Sequence, residues 1–455
     1  MNRIAGRAAI TILLALLLVA GLGFFLAEYV TQAHNWVVFE GSPHVYNGSN
    51  IGTGTVVDRD GTLLLDMNGG RDYSESQTLR KATVHWLGDR NGSVSAPSLA
   101  EHSGNLVGYD LLSGVYAYGE TGGVAELTLS AEIQKAALEA LGEHTGTVAV
   151  YNYKTGQLLC SVTTPTFDPD NAPGAEDAEN YDGLYVNRFT QGSYIPGSIF
   201  KIVTLAAALE EIPDIRQQSF QCNSSYQIGD EDDLITCEVS HGTQDLKGAF
   251  RNSCNCAFAQ ISQQLGKEKL QKYVEKFGVT DSISFDGIKT PKGNFDVSDA
   301  SALSVAWSSV GQYKDLVNPC AFLTFMGAVA SEGKGVTPYL VEEVATAQSV
   351  TYRARTQSRS RIMSKETAEV LRQYLANNVQ TLYGSENFPG FQTVCAKTGT
   401  GQVGGDRKPN AMLAGFVADE AYPLAFIVCV EDAGYGSTVC IPIASKVLAA
   451  CEKWL

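Results

Sequence analysis

The pattern of apolar and polar positions begins with an almost uninterrupted run of twenty apolar or small residues at 8–27. A helix of that length spans the hydrocarbon core of a bilayer, and the preceding Arg3 and Arg7 favour a cytoplasmic N terminus. The pattern therefore predicts a cytoplasmic tail at 1–7, a single transmembrane helix at 8–27 and an extracytoplasmic remainder. A cleaved signal peptide ending near Thr31–Ala33 is the alternative, but the long apolar run favours an uncleaved anchor.

The next stretch, 28–125, is rich in Gly, Ser and Asn and contains only short β-like runs. Thr55–Val57 and Leu63–Leu65 flank Asp60-Gly61, a dipeptide typical of hairpin turns. Leu79–Gly88 fits either a short helix or a strand. We therefore expect a small β-containing module beside the membrane, without a recognisable catalytic pattern.

The chain from 126 to 455 shows longer helical and strand-like periods. Ser130 is a candidate N-cap for a helix that ends at Leu141. The further predicted elements are strands at 147–152 and 158–163, an apolar helix from Ser198 through Ala208, a helical stretch at 246–265, strands at 393–400, 412–417 and 424–430, and a final helix at 443–454. This order predicts an α+β fold, in which terminal helices cover an antiparallel sheet and an all-helical subdomain is inserted.

Composition narrows the possible partners and ligands. A net charge of −16 over 455 residues argues against nucleic acid and against a polybasic membrane patch. Among the ten cysteines, Cys222 and Cys237 flank a polar loop and are the best candidate disulfide pair, worth about 3 kcal/mol. Cysteine and histidine positions do not show zinc spacing, so the sequence predicts neither a metal nor a cofactor.

Candidate chemistry begins at Ser198, which follows the Pro196-Gly197 break and opens the apolar helix. Lys201 lies three residues later, on the same helix face. Burial in this helix lowers the lysine pKa, so that its amine can act as a base, and the helix N terminus can hold an oxyanion. These features predict an acyl-transfer site. Alone, the tetrapeptide also fits a capping serine followed by an unrelated lysine.

A second stretch, Ser253-Cys-Asn255, supplies a hydroxyl for proton relay and an amide for substrate binding. By itself it is also a common turn or helix cap.

A third stretch, Lys397-Thr-Gly-Thr400, ends a predicted strand. Lys397 adds positive charge that favours a neutral Lys201. Gly399 leaves room for a substrate strand, and the two threonine hydroxyls can bind a carboxylate. A plain strand-end turn is the alternative.

Together, and in this order, the three motifs resemble class B (monofunctional) penicillin-binding proteins, which are peptidoglycan D,D-transpeptidases. The resemblance covers nearly everything after Glu126 and extends to Asp58–Gly61 nearer the membrane. Its further stretches are Leu127–Gln134, Lys154–Gly156, Pro165–Pro169, Pro196–Ser198, His241-Gly242 and Val310–Gln312. Cys222 and Cys237 match a cysteine pair found in part of the family. The departures, which are Cys254, Tyr313 and Met412, leave the reacting groups in place.

The resemblance implies a penicillin-binding transpeptidase domain at 126–455 and a serine acyl-enzyme. Lys201 would deprotonate Ser198, which attacks the penultimate D-Ala of a stem peptide, and the backbone N–H groups of Ser198 and Thr400 would hold the oxyanion. β-Lactams would acylate the same serine. The implied catalytic residues are Ser198, Lys201, Ser253, Asn255 and Lys397, and the implied substrate-binding residues are Thr398, Gly399 and Thr400.

The resemblance also implies partners. Lacking a polymerase of its own, the protein would work beside a membrane glycan polymerase of the SEDS type. Two other functions stay open: a β-lactamase or D,D-carboxypeptidase on the same fold, and a non-catalytic penicillin sensor or scaffold. The anchor and the extra module disfavour the hydrolases, and the tail of about seven residues before the membrane span disfavours the sensor.

Overall fold

The computed structural model describes residues 2–39, 42, 46–47, 50–109, 111–112, 114, 122–174, 178, 180–230, 232–388 and 390–455. It starts with a long helix, Asn2–Trp36, in which most of the described apolar side chains are exposed. The segment Ile4–Ala33 is long and apolar enough to cross a membrane, with a mean hydropathy of 2.7 in its most apolar window. The predicted span at 8–27 lies inside this helix, and its predicted ends remain predictions.

Five antiparallel strands form the central sheet of the part that follows. In spatial order they are Val394–Gly401, Asn410–Val417, Leu424–Val430, Gly146–Asn152 and Leu158–Thr164. All five strands were predicted, with ends that differ by two residues at most. The sheet therefore places the C-terminal strands beside the first pair, and Val394–Gly401 lies at one edge.

Alternate strand residues face opposite sides of this sheet, as the period of a strand requires. Val148 and Val150 pack into the cluster that contains the helices Ala131–Leu141 and Gly436–Trp454. Tyr151 faces the other side, where its hydroxyl fills the space that a side chain at Gly327 would need. The sheet is thus covered on both faces, and all seven residues of Leu424–Val430 are buried.

The helices of the inserted subdomain and its surroundings supply most of the second face. They are Lys201–Glu211, Leu246–Arg251, Asn255–Leu265, Lys267–Phe277, Ala302–Ser308, Pro319–Ala330 and Lys365–Asn378. Two helix predictions need correction. The stretch at 246–265 is two helices, because Ser253 takes a positive φ of 52° between them. The final helix starts at Gly436 rather than 443, because it continues through Pro442, a residue type that usually interrupts helices.

A second sheet joins the N-terminal module to the rest. Its strands, in spatial order, are Val350–Arg353, Val341–Ala345, Val124–Leu127, Thr55–Val57, Leu63–Asp66 and Asp72–Tyr73. The predicted hairpin at Asp60-Gly61 connects two of them. The domain boundary at 125/126 remains a prediction, and it falls within one strand of this shared sheet.

Asp58 links the hairpin to the helix Ala131–Leu141. Its carboxylate accepts hydrogen bonds from the N–H groups of Asp60 at 2.9 Å, Thr62 at 2.7 Å and Ala131 at 2.8 Å. Ser130, the predicted cap, makes no side-chain capping bond. The helix start is therefore capped from a distant part of the chain, which local sequence does not reveal.

Short elements complete the described part of the chain. The stretch around Leu79 is a helix, Gln77–Leu87, rather than a strand. Other short helices are Pro97–Glu101, Ser103–Leu106 and Arg188–Gln191, with single 3₁₀ turns at Pro169–Asn171, Gly197–Phe200, Ile215–Gln217 and Ser385–Asn387 and a π-helical turn at Val379–Tyr383. Two-stranded ribbons pair Tyr46–Asn47 with Asn50–Ile51, Ser219–Cys222 with Gly242–Asp245, Ser225–Gln227 with Leu234–Thr236, Ser284–Phe285 with Ile288–Lys289, and Lys334–Val336 with Ser358–Arg361.

Candidate active site

Ser198 lies in a 3₁₀ turn, Gly197–Phe200, that runs directly into the helix Lys201–Glu211. The sequence predicted that a helix begins here, and the structure shows that its first turn is the tighter 3₁₀ form. Every residue from Lys201 to Ala208 is buried. The turn therefore holds the Ser198 hydroxyl at the cleft, while the helix behind it anchors the turn in the core.

Lys201 is the centre of a hydrogen-bonded cluster. Its Nζ lies 2.7 Å from Ser198 Oγ, 2.7 Å from Asn255 Oδ1 and 3.3 Å from Ser253 Oγ. Its side chain is fully buried. Residues that lie more than fifty positions apart in the chain thus converge on one amine, as the motif order predicted.

Lys397 approaches the same cluster from the edge strand. Its Nζ lies 3.0 Å from Ser253 Oγ, so this hydroxyl lies between the two lysines. Lys397 also donates to the Thr398 carbonyl at 3.0 Å. The five predicted catalytic residues, including Asn255, therefore form one continuous hydrogen-bonded network.

Burial governs the protonation of both lysines. It lowers the pKa of Lys201 to about 7, against a smaller opposing effect of the nearby Cys237 and Cys254. Burial also lowers the pKa of Lys397 well below its usual range, and the charge of Lys201 lowers it further. The sequence placed a fixed positive charge on Lys397. In the structure, two ammonium groups on either side of one hydroxyl would repel each other, which disfavours the state in which both lysines are charged.

Gly399 brings the edge strand against the nucleophile turn. A Cβ at this position would lie 2.7 Å from the Pro196 carbonyl oxygen and 3.1 Å from the Ile199 nitrogen. A Cβ at Gly197, which has a φ of 53°, would lie far inside contact distance of the Thr400 carbonyl. The structure therefore assigns Gly399 a packing role, whereas the sequence suggested only room for substrate.

Thr398 and Thr400 alternate with Lys397 and Gly399 along this strand. The Thr398 N–H donates to Tyr383 Oη at 3.1 Å, and the two hydroxyls of this pair also lie 3.1 Å apart. The Thr400 carbonyl accepts from Gln312 Nε2 at 3.0 Å. Because the N–H and C=O of one strand residue point to the same side, the Thr400 N–H faces away from the neighbouring strand as well.

The cleft has a volume of about 510 Å³ and is lined by residues of all three motifs. Sequence reasoning assigned no role to several of its contacts. Gln312 bonds the Thr400 carbonyl and accepts from the Gln402 N–H at 3.3 Å. Tyr435 Oη donates to Glu238 Oε1 at 3.2 Å, joining two sides of the cleft rim. Of these newly identified residues, Gln312 alone belongs to a stretch that resembles the family, Val310–Gln312, and the resemblance did not assign it a function.

Four side chains gather beside the second motif: Cys222, Cys237, His241 and Cys254. All the cysteines named here carry free thiols, so the candidate pair Cys222 and Cys237 is not bonded in this structure. The sequence predicted no metal site because linear spacing showed none. In the described part of the chain the fold nevertheless brings these four potential ligands within 4.8 Å of one another.

Comparison with known families places this geometry in context. Residues 146–449 match the family described as the penicillin binding protein transpeptidase domain. The match covers well over half of the chain and includes every residue of the lysine and serine network.

Individual relatives agree with the family match. The peptidoglycan D,D-transpeptidase PbpA of Mycolicibacterium smegmatis is 28% identical over 366 residues, covering 73% of each chain. Stage V sporulation protein D of Bacillus subtilis is 28% identical over 320 residues, covering 67% of this chain and 48% of that protein. Among solved structures, the D,D-transpeptidase domain of a peptidoglycan glycosyltransferase from Eggerthella lenta superposes with a TM-score of 0.75 at 25% identity, covering 88% of this chain and 98% of the other.

Proposed function

The chain belongs to the penicillin-binding protein transpeptidase family, and on that premise we propose that it cross-links peptidoglycan stem peptides through an acyl-enzyme on Ser198. The observation that carries this proposal is the 2.7 Å contact between Lys201 Nζ and Ser198 Oγ, made by a fully buried lysine. A buried amine whose pKa is close to 7 is a base at neutral pH. The activity that we assign is that of a class B D,D-transpeptidase.

Acylation follows from this arrangement. Neutral Lys201 takes the Ser198 proton as Oγ attacks the carbonyl carbon of the penultimate D-Ala, and the resulting oxyanion is held by the N–H groups of Ser198 and Thr400. The outward direction of the Thr400 carbonyl supports this role for the N–H of the same residue.

Departure of the terminal D-Ala requires a proton on its nitrogen. Ser253 Oγ lies within hydrogen-bonding distance of both lysines, which suits it to pass the proton from Lys201 to the leaving amine. Asn255 holds Lys201 through Oδ1, while its Nδ2 donates to the Thr236 carbonyl at 2.8 Å. Ser253 is thus the proposed relay and Asn255 the positioning amide.

Recognition of the substrate carboxylate falls to the edge strand. A carboxylate beside Lys397 favours the charged ammonium, which burial alone disfavours. Binding of the terminal D-Ala carboxylate would therefore charge Lys397, with Thr400 and Thr398 as hydroxyl partners and Gly399 allowing close approach. An amine of a second stem peptide then attacks the acyl-enzyme and forms the cross-link. β-Lactams would acylate Ser198 as mimics of the donor peptide.

The long apolar helix supports a membrane location. We propose that it anchors the protein in the cell membrane as a single-pass helix, with the catalytic part outside the cytoplasm, where stem peptides are found. Exposed apolar side chains along Ile4–Ala33 suit contact with lipid and with a membrane partner. We assign that partner to the SEDS type of glycan polymerase. Cross-linking of the helix to co-expressed polymerase, at an introduced photoreactive residue, tests this assignment.

Fluorescent-penicillin labelling of the full chain in detergent tests the catalytic assignment. We expect a long-lived adduct on the peptide that contains Ser198 and complete loss of label in Ser198→Ala. Ser437→Ala, a serine that lines the same cleft, is the matched control and should still label. Label retained by Ser198→Ala, or rapid release of hydrolysed drug, would contradict a transpeptidase centred on Ser198.

A further inference from the structure

The rim of the cleft carries a carboxylate that has no part in the acylation of Ser198. We propose that this group, Glu238, binds the cationic amine of the acceptor stem peptide and so selects the second substrate. The inference rests on the proposed function, because it assigns an acceptor site within the same cleft. Glu238 is exposed, and among the described residues that line the cleft it alone has a carboxylate.

The charges around the cleft favour a cationic ligand at this position. No lysine or arginine is among the described residues that line the cleft, because Lys201 and Lys397 lie behind its surface with buried side chains. Glu238 is therefore the only acidic or strongly basic side chain in this lining. A carboxylate at the entrance of a cleft raises the local concentration of cations and speeds their entry.

Glu238 is held close to the second motif. The carbonyl of Thr236, two residues earlier, accepts a hydrogen bond from Asn255 Nδ2 at 2.8 Å. The same Asn255 side chain contacts Lys201 Nζ through Oδ1 at 2.7 Å. Because two residues of extended chain span at most about 7 Å, the Glu238 backbone lies near the network that surrounds Lys201.

Tyr435 orients one oxygen of this carboxylate from the opposite side of the rim. Its Oη donates to Glu238 Oε1 at 3.2 Å. Tyr435 immediately precedes the helix Gly436–Trp454, which is packed so closely on the central sheet that a Cβ at Gly436 would overlap the Met412 carbonyl. The partner of Glu238 is thus attached to a rigid part of the fold.

The second carboxylate oxygen of Glu238 is available to a ligand. In the described part of the chain, Oε2 accepts no hydrogen bond. No described lysine, arginine or histidine forms an ion pair with Glu238 either. An ammonium group can therefore bind here without displacing a cation of the protein.

The chemistry of the two substrates points to the acceptor. The donor peptide brings a terminal carboxylate, which Glu238 would repel and which the proposed function places beside Lys397 on the edge strand. The acceptor brings an alkyl amine, which is protonated in water at neutral pH. The anionic rim and the lysine-containing strand thus suit substrates of opposite charge.

Glu238 acts before the new bond forms. The acceptor ammonium, held at the rim, loses one proton to solvent as the amine moves onto the acyl carbon. Its nitrogen then bonds to that carbon, the bond between the carbon and Ser198 Oγ breaks, and a second amine proton passes through Lys201 to Oγ. Glu238 exchanges no proton in this sequence, so it is a substrate-binding residue and not the base.

Acyl transfer by the full chain in detergent tests the proposal. A thioester analogue of the donor acylates Ser198, and acceptor stem peptides with lysine or diaminopimelate at the third position compete with water for the acyl group. Glu238→Gln should raise the acceptor KM about fivefold, the modest effect of one exposed ion pair. The rate of donor acylation, the rate of hydrolysis and the transfer rate at saturating acceptor should stay unchanged.

Two controls define this effect as electrostatic. Glu139→Gln, which changes an exposed carboxylate on the helix Ala131–Leu141 outside the cleft lining, should leave the acceptor KM unchanged. Raising the salt concentration from about 0.05 M to about 0.5 M should shrink the difference between wild type and Glu238→Gln, because salt screens exposed charges.

Direct binding to the unreacted chain gives a readout that needs no acyl-enzyme. In ligand-detected NMR, the peptide with a free side-chain amine should bind Glu238→Gln about fivefold more weakly than wild type. The same peptide with that amine acetylated should bind both proteins equally. If Ser198 proves not to be acylated, the proposed function fails, and this measurement still decides whether Glu238 binds the amine.

Three results would overturn the inference. One is an equal Kd of the free-amine peptide for wild type, Glu238→Gln and Glu139→Gln. Another is an equal loss of affinity for the free and the acetylated peptide, which would show that Glu238 acts by shape and not by charge. The third is a change in donor acylation as large as the change in acceptor KM, which would assign Glu238 to the donor.

Discussion

The two walls of the cleft are built in different ways. The strand wall, Lys397–Thr400, belongs to the central sheet and presses on the nucleophile turn at glycine positions. The motif wall, Thr236–Cys237 with Ser253–Asn255, is formed by short ribbons and a turn between helices. The strand wall is therefore held by core packing, whereas the motif wall depends on hydrogen bonds made by individual side chains.

This difference shows how one cleft can combine a rigid strand that binds substrate with a relay hydroxyl, that of Ser253, whose position depends on hydrogen bonds. The strand wall and the nucleophile turn pack so closely at Gly197 and Gly399 that neither position has room for a methyl group. The motif wall has no comparable packing at Ser253, which is half-buried and has a positive φ. Geometry there must come from hydrogen bonds, such as those between Ser253 Oγ and the two lysines and the one from the Asn255 side chain to the Thr236 carbonyl.

The largest effect is expected where the two walls meet. Lys201→Ala removes the amine that contacts Ser198, Ser253 and Asn255, and should slow acylation by penicillin by about 10³-fold or more. Stopped-flow measurement of acylation checks this, with the Tm as a control for folding. A loss below tenfold in a folded variant would show that another base acts.

The strand wall can be broken at Gly399. In Gly399→Ala the new Cβ meets backbone atoms of Pro196 and Ile199, so the strand must move away from the nucleophile turn. We expect a loss of about 1–3 kcal/mol in unfolding free energy and up to about 10²-fold slower acylation.

Gly174→Ala is the control for this substitution, because a Cβ there has no other described residue within 4 Å, apart from its neighbours in the chain. It should leave both the Tm and the acylation rate unchanged. If both variants behave alike, the strand wall is not held by close packing, and the contrast between the walls fails.

The pH dependence of acylation tests Lys201 as the base. Lys201 acts as a base only when neutral, and its pKa is lowered to about 7. The acylation rate should therefore be level above that pH and fall about tenfold per pH unit below it, approaching this slope well under the pKa. Acylation kinetics from pH 5 to 9, with circular dichroism at each pH, provide the measurement. A rate that is flat across this range would mean that Lys201 is not the base.

The smallest effect is expected at the outer edge of the strand wall. Tyr383→Phe removes the hydroxyl that bonds both the Thr398 N–H and its side chain. The lost bonds are worth about 1 kcal/mol, so substrate-mimic affinity should fall a few-fold with acylation at saturation nearly unchanged. A titration of acylation rate against penicillin concentration measures the Kd and the rate at saturation separately. A large fall in the saturated rate would assign Tyr383 to the reaction itself.

Most of the central architecture could be predicted from the chain. Buried strands such as 424–430 are continuous apolar runs, and the motif order identified the five network residues. The N-cap of the helix at 131 could not be predicted, because Asp58 supplies it from a distant part of the chain. The break at Ser253 and the continuation through Pro442 could not be predicted either, because serine rarely takes a positive φ and proline is uncommon inside helices.

The sequence by itself determined which residue types could carry the chemistry: a serine and a lysine on one helical turn, and the two later motifs. Periodicity and short motifs are local properties, so they can be recognised before the chain folds. Only the tertiary structure decided that Ser253 lies between two lysines and that Cys222, Cys237, His241 and Cys254 meet. These are distances between elements far apart in the chain, so the way those elements pack and bond to one another sets them.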